Sequence, residues 1–151
     1  MSGFTVAQFA DELSKVMPVV MKEFSRRQTN ELYKGKITLP QVFILEFLDK
    51  EQESKMKDLA CFMGVSTAAI TGIVDRLVKC TYVVRVFDPD DRRIIRIKLT
   101  PRGAELIKRI NSQRQQMVMR IFGRVSEEDR QDYLRILGRI RDVLLNDDIK
   151  Q

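Results

Sequence analysis

Between Lys79 and Tyr82 the rhythm of the apolar residues changes, and that change constrains the chain more than any other feature. Upstream, Ile70, Ile73, Val74 and Leu77 follow the i, i+3, i+4, i+7 template of a helix with one buried face. Downstream the period is two: Tyr82, Val84 and Val86 alternate with Val83, Arg85 and Phe87, and Ile95, Ile97 and Leu99 alternate with Arg96 and Lys98. Two strands joined by the polar segment Asp88-Pro89-Asp90-Asp91-Arg92-Arg93 form a hairpin. A charged hairpin therefore follows directly on a helix.

The rest of the chain reads as helical. Phe9, Leu13, Val16, Val20 and Phe24 lie on one face of a first helix, in which Pro18 predicts a kink or a break because it removes a hydrogen bond and clashes with the preceding turn. Gly35 marks the following turn. Thr38-Leu39-Pro40-Gln41 reads as a capping box, with Ile37 and Val42 as its hydrophobic staple, and opens a second helix to about Asp49. Ser54 is expected to cap a short third helix carrying Met56, Leu59, Ala60 and Met63, stopped by Gly64 in a left-handed turn. Ser66 caps the fourth helix. Thr100-Pro101 fits the cap and first position of a fifth, carrying Ile107, Ile110, Met117 and Ile121. Ser126-Glu127-Glu128-Asp129 opens a sixth with the stripe Tyr133, Leu137, Ile140 and Leu144.

Composition narrows the function. The 151 residues fit one domain or one small module with attached helices, and 27 Lys+Arg against 21 Asp+Glu give a formal charge of +6, which favours a polyanionic partner. Histidine is absent and there are 2 cysteines, Cys61 and Cys80, so zinc spacings cannot be built and a serine or cysteine triad would lack its imidazole. With no glycine-rich phosphate loop either, no enzyme, metal or cofactor is expected. Asp11 and Glu12 sit where a signal peptide would be basic then apolar, and no apolar run has the length of a membrane span. A cytoplasmic protein with no membrane partner is the expectation.

Two short helices meeting across a Gly-containing turn make a helix-turn-helix, and the hairpin behind it is a wing. On the fourth helix the outer face is small and polar, with Ala68, Thr71, Gly72, Asp75 and Lys79 turned away from the core. Small residues let a helix seat deeply between phosphates, and Ala68 and Thr71 suit thymine methyls and base edges. Gly72 in a helix interior fits close backbone approach. Asp75 would repel phosphate unless an arginine pairs with it. In the hairpin Arg92 and Arg93 are adjacent cations at the tip, suited to a minor groove, while Asp88 and Asp91 organise the loop. Taken singly, the helix is an ordinary amphipathic one and the loop a solvated turn; their order carries the reading.

Asp58-Leu59-Ala60, Val65-Ser66, Ile70-Thr71, Val74-Asp75-Arg76-Leu77, Asp88-x-x-Asp91-x-Arg93 and Leu99-Thr100-x-x-Gly103 together resemble the multiple antibiotic resistance regulator (MarR) family. The resemblance implies a mainly α fold with a small β wing: a winged helix-turn-helix over 37–100, flanked by long N- and C-terminal dimerisation helices over 1–36 and 101–151. It implies a homodimeric transcriptional regulator, usually a repressor, binding double-stranded DNA at a pseudo-palindromic operator. Ser66, Thr67, Ala68, Thr71, Gly72, Arg76 and Lys79 would be the DNA-facing residues of the recognition helix, and Arg93 the minor-groove arginine of the wing. The chain departs from the family at Cys80-Thr81, where glycine is common before the strand, and at Gly72, where a long polar residue is common.

Family members often bind small aromatic or amphipathic anionic effectors. Met17, Met21, Phe24, Phe43 and Phe47, with Arg26 or Arg27 at the mouth, would line such a cavity; ordinary core is the alternative. Cys61 and Cys80 read as buried structural residues, with a redox-responsive regulator as the alternative. A winged-helix module that holds another protein and never touches DNA is the competing function.

Overall fold

The computed structural model describes residues 3–27 and 36–147, so the expected turn at Gly35 lies outside the described residues. In chain order the elements are α1 (Val6–Arg26), α2 (Leu39–Glu51), β1 (Glu53–Lys55), α3 (Met56–Met63), α4 (Thr67–Lys79), β2 (Val83–Phe87), β3 (Ile95–Leu99), α5 (Pro101–Phe122) and α6 (Glu127–Asp147). Helices dominate and the strands form one small antiparallel sheet, so the mainly α fold with a β wing is as expected. Two compact units divide the chain, residues 1–114 and 115–151, with the boundary inside α5.

The sheet has the order β1-β3-β2. The hairpin pairs Val83 with Leu99, Arg85 with Ile97 and Phe87 with Ile95, while β1 sets Glu53 opposite Lys98 and Ser54 opposite Ile97. β1 corrects one expectation. Ser54 does not cap a helix; it is buried in this short strand, its hydroxyl donating to the Lys55 carbonyl at 3.2 Å, and Lys55 takes the N-cap position of α3. Three residues are too few to show alternation, and they become a strand only because β3 offers a free edge.

The core is built where the helix stripes and the inner sheet face meet. Ile44, Leu45 and Leu48 from α2, Leu59 from α3, Ile70, Val74 and Leu77 from α4, and Val83 and Ile97 from the sheet are buried. Each such side chain contributes roughly 1.5–3 kcal/mol relative to exposure. The first turns of α5 add Leu106, Ile107 and Ile110, so the core of the winged lobe continues past residue 100.

Gly103 makes that continuation possible: a Cβ there would lie 2.0 Å from the Tyr82 carbonyl oxygen, so only glycine lets α5 approach the start of β2. The Leu99-Thr100-x-x-Gly103 motif thereby has a packing cause. Thr100 Oγ1 accepts from the Gly103 amide at 3.0 Å, which fixes the first turn, and Pro101 stands at its first position.

α1 runs as one element through Pro18, so the expected break does not occur. Thr5 and Gln8 form a capping box at its start, with the Thr5 amide donating to Gln8 Oε1 at 2.9 Å. None of its described residues is buried. In the second unit, Ser126 caps α6 by accepting from the Asp129 amide at 3.1 Å, and Phe122 and Tyr133 pack ring to ring at 5.4 Å. Leu134, Leu137, Ile140 and Leu144 of α6 are exposed. Among the described residues no single helix is long and apolar enough to cross a membrane.

Candidate nucleic-acid interface

α3 and α4 meet at 107°. The turn between them is set by Gly64 at φ 61°, ψ 34°, with the Val65 amide bonded to the Ala60 carbonyl and the Gly64 amide to that of Cys61, both at 3.1 Å. This is the Schellman closure, and the left-handed residue it needs is the glycine identified from sequence. Ser66 then starts α4, accepting from the Ala69 amide at 3.2 Å.

With Ile70, Val74 and Leu77 buried, the opposite face of α4 presents Thr67, Ala68, Gly72, Asp75, Arg76 and Lys79 to solvent. Thr71 is half-buried and its hydroxyl donates to the Thr67 carbonyl at 2.7 Å. Its proton is committed to the helix, so the group meets a ligand as an acceptor and through its methyl. A Cβ at Gly72 would meet nothing within 4 Å, so no packing inside the chain requires glycine there. The acid on this face is neutralised: Asp75 pairs with Arg85 of β2 at 2.5 Å, joining the helix to the wing.

The wing loop is organised by its acids. Asp88, 7% exposed, accepts from the Asp90 and Asp91 amides at 3.0 and 3.4 Å through one oxygen, and from Arg96 Nε at 2.6 Å through the other. Asp91 accepts from the Arg93 amide at 2.9 Å, and the Asp88 amide closes the loop on the Ile94 carbonyl at 2.8 Å. Arg96 reaches on to Glu53 at 3.0 Å, and Glu53 also holds Lys98 at 2.6 Å. Arg96 and the two turn amides hold the Asp88 carboxyl below its usual value, Lys98 does the same chiefly for Glu53, and Asp88 raises the guanidinium of Arg96. The side chains of Arg92 and Arg93 are exposed and, among the described residues, take no part in this network.

The residues named from sequence are thus brought together in two groups, the α4 face and the wing tip, with Asp88 and Asp91 beneath the tip arginines. Arg96, Glu53, Lys98 and Arg85 were missed. For Arg85, Arg96 and Lys98 the signal was present, because period-two alternation places charged residues at defined register positions of the hairpin. For Glu53 it was not, since β1 itself was not recognised.

The turn from α4 into the wing, where the chain departs from the expected glycine, adopts the glycine conformation regardless. Thr81 has φ 61°, its amide bonds the Val78 carbonyl at 2.9 Å, and the Tyr82 amide bonds that of Leu77 at 3.0 Å. A β-branched residue is strained there. Its surroundings hold it: Thr100 Oγ1 donates to the Thr81 carbonyl at 2.6 Å and Arg102 donates to Thr81 Oγ1 at 3.1 Å.

The residues assigned to an effector cavity stand differently. Met17, Met21 and Phe43 are between 41% and 61% exposed, Arg26 is on the surface facing Glu23 at 3.4 Å, Phe24 is half-buried, and Phe47 packs on the core with its ring 4.3 Å from that of Phe62. Cys61 and Cys80 are both exposed, which corrects the expectation of buried thiols. Cys80 falls after the last helical turn, where the chain leaves the core, and Cys61 lies on the outer side of α3.

The MarR family model matches residues 37–95, the span from the start of the core to the wing. The HTH-type transcriptional regulator YpoP of Bacillus subtilis, itself uncharacterised, is 26% identical over 115 residues, covering 76% of this chain and 81% of YpoP. Among solved structures, a MarR-like transcriptional regulator from Thermotoga maritima superposes with a TM-score of 0.73 at 27% identity, over 89% of this chain and 96% of the other. A variant of S. aureus MepR bound to an oligodeoxyribonucleotide shares the fold with a TM-score of 0.65 at 21% identity, over 87% and 96% of the two chains. With the left-handed turn, the capped helix, the acid-braced wing and these likenesses in agreement, residues 37–95 form a winged helix-turn-helix of the MarR family, and the chain as a whole is similar to HTH-type transcriptional regulators.

Proposed function

We propose that the protein is a homodimeric repressor that places α4 in the major groove and the wing tip in the adjacent minor groove of a pseudo-palindromic operator. The observation that carries this reading is the division of charge in the wing. Asp75 is taken by Arg85, and Asp88 and Glu53 by Arg96 and Lys98, whereas the side chains of Arg92 and Arg93 project from a fixed loop with no ion pair among the described residues. Arg93 enters the minor groove, Arg92, Arg76 and Lys79 hold phosphates, and Ser66, Thr67, Ala68, Thr71 and Gly72 form the close-approach surface. The MepR complex with an oligodeoxyribonucleotide supports the same use of this fold.

Dimerisation is supported by the apolar faces of α1 and α6, where Phe9, Val16, Leu137, Ile140 and Leu144 stand in solvent in the single chain. A two-fold dimer sets two recognition helices about 34–36 Å apart, which is one turn of duplex. In the dimer Met17, Met21, Phe24 and Phe43 gain cover, and with Phe47 and Arg26 they would hold a small aromatic or amphipathic anion.

The test is operator binding measured by fluorescence anisotropy across a salt series. Binding should weaken steeply with salt, and Arg93→Ala should weaken it about tenfold or more with unchanged melting temperature. Affinity insensitive to both salt and Arg93 would replace this reading with a protein-holding wing. The exposed thiols favour one addition, a redox-responsive regulator: mild peroxide should then release DNA from the wild type and not from Cys80→Ser.

A further inference from the structure

We propose that the wing holds the duplex by an apolar contact as well as a charged one: Phe87 and Ile95 pack on the deoxyribose edges of the strand that separates the two grooves. The two residues stand opposite each other at the outer end of the hairpin, where β2 and β3 run into the loop. Phe87 is 67% exposed and Ile95 38%. The core ends short of them, at Val83, Ile97 and Leu99.

Strand register fixes which way the pair looks. Val83, Arg85 and Phe87 of β2 share one sheet face with Leu99, Ile97 and Ile95 of β3. The inner part of that face is sealed by Val83 and Ile97, and next outward Arg85 reaches Asp75 of α4. Phe87 and Ile95 continue the same face beyond the helix. The opposite face carries Val84, Val86, Arg96 and Lys98, and there Arg96 and Lys98 are paired with Glu53. At its outer end the wing is therefore apolar on the side turned to α4 and charged on the other.

With α4 in the major groove and Arg93 in the minor groove beside it, one sugar-phosphate strand has to pass between the helix and the wing tip. Its path crosses the face on which Phe87 and Ile95 stand. The phosphates of that strand are matched by the cations Arg92 and Arg93 at the tip, and its sugar carbons by the ring and the branched side chain. The group recognised is a 2′-deoxyribose, because a 2′-hydroxyl turned to the phenyl ring would lose its water and gain no partner. An apolar contact displaces no counterions, so it adds affinity that salt does not erode.

This inference rests on the DNA-binding reading, and the experiment separates the two. The probe is a duplex selected by the wild-type protein from a random-sequence pool, with binding followed by fluorescence anisotropy across a salt series. Phe87→Ala should weaken binding about tenfold or more and Ile95→Ala about threefold or more, both with unchanged melting temperature. Phe87→Leu, which keeps an apolar side chain, should stay within about threefold of the wild type. The slope of log affinity against log salt should be the same in Phe87→Ala as in the wild type, whereas Arg93→Ala should lower it by about one for each wing engaged. Val84→Ala removes an exposed apolar side chain from the other face and should bind like the wild type. Ribonucleotides placed singly along the duplex should weaken the wild type where the wing crosses and leave Phe87→Ala indifferent.

Unchanged affinity in Phe87→Ala, an equal loss in Val84→Ala, or a lowered salt slope in Phe87→Ala overturns the apolar contact. A loss in Phe87→Ala with a flat ribonucleotide scan puts the ring between bases and overturns the sugar assignment. A wild type that selects no duplex strikes the DNA-binding reading and this inference with it. Binding that depends on salt and Arg93 yet ignores Phe87→Ala strikes this inference alone.

Discussion

The winged lobe and the outer helices use similar apolar stripes to opposite ends. In the lobe the stripes of α2, α3 and α4 meet one another and the sheet, and Leu48, Leu59, Ile70 and Ile97 are sealed from water. In α1 and α6 the stripes are as regular, yet Phe9, Val16, Leu137 and Leu144 remain exposed. Periodicity thus reports that a face is apolar without reporting what covers it. The lobe is complete within one chain; the outer helices carry surface that the proposed partner copy would complete.

The strongest way to break this contrast is to cut equal volumes from both sides. Leu48→Ala should cost about 3–4 kcal/mol in urea unfolding, because it leaves a cavity in a sealed core. Leu137→Ala should change the intrinsic stability of one chain by less than about 1 kcal/mol. Its effect should instead appear in sedimentation as a dimer that dissociates at higher concentration; equal costs for the two substitutions would erase the distinction. Next in size, Gly103→Ala forces a methyl against the Tyr82 carbonyl and should cost about 2–3 kcal/mol, showing that the lobe includes the start of α5. If Gly103→Ala melts like the wild type, the lobe ends before residue 101.

Two smaller predictions separate packing from function. Gly72→Ala adds a methyl where nothing lies within 4 Å and should stabilise the helix by about 1 kcal/mol while weakening operator binding. A variant that is both more stable and equally tight would remove Gly72 from the DNA face. Thr81→Gly should relieve the left-handed strain and raise stability by about 1 kcal/mol at most, since the bond from Arg102 is lost with the side chain. The smallest effect is on pH. Because Arg96 depresses Asp88 below its usual 3.8, the ionised carboxylate stabilises the wing above the unfolded value and that stabilisation is lost as pH falls through the folded one. The melting-temperature advantage of the wild type over Asp88→Asn should therefore be constant above about pH 5 and vanish in stronger acid; an advantage growing in acid would contradict the Arg96 pairing.

Much of this was legible from residue patterns. Ser66, Gly64 and Thr100-Pro101 act through neighbours three or four positions away, so local spacing sufficed to find them. The hairpin was legible because alternation persists over five residues in each strand. Asp88 was correctly seen as a loop organiser, but its charged partner is Arg96, eight positions on and across the hairpin, where only strand register brings the two together. Of the kink or break expected at Pro18, the break does not occur, since one missing amide in a long capped helix can be absorbed. The exposed thiols were unreadable for a different reason. Whether a helix-end cysteine is covered depends on where the next segment goes, and the Thr81 turn carries the chain away from Cys80.

The rigid loop beneath the tip arginines also has an entropic meaning. Fixing a residue's backbone costs roughly 1–2 kcal/mol, and a seven-residue segment left floppy would lose that freedom on meeting DNA. Here the bonds from Asp88 and Asp91 to the turn amides have already fixed it during folding. Binding has then only to still the side chains of Arg92 and Arg93, at up to about 2 kcal/mol each. The wing meets the groove as a preset instrument whose only moving parts are its two charged ends.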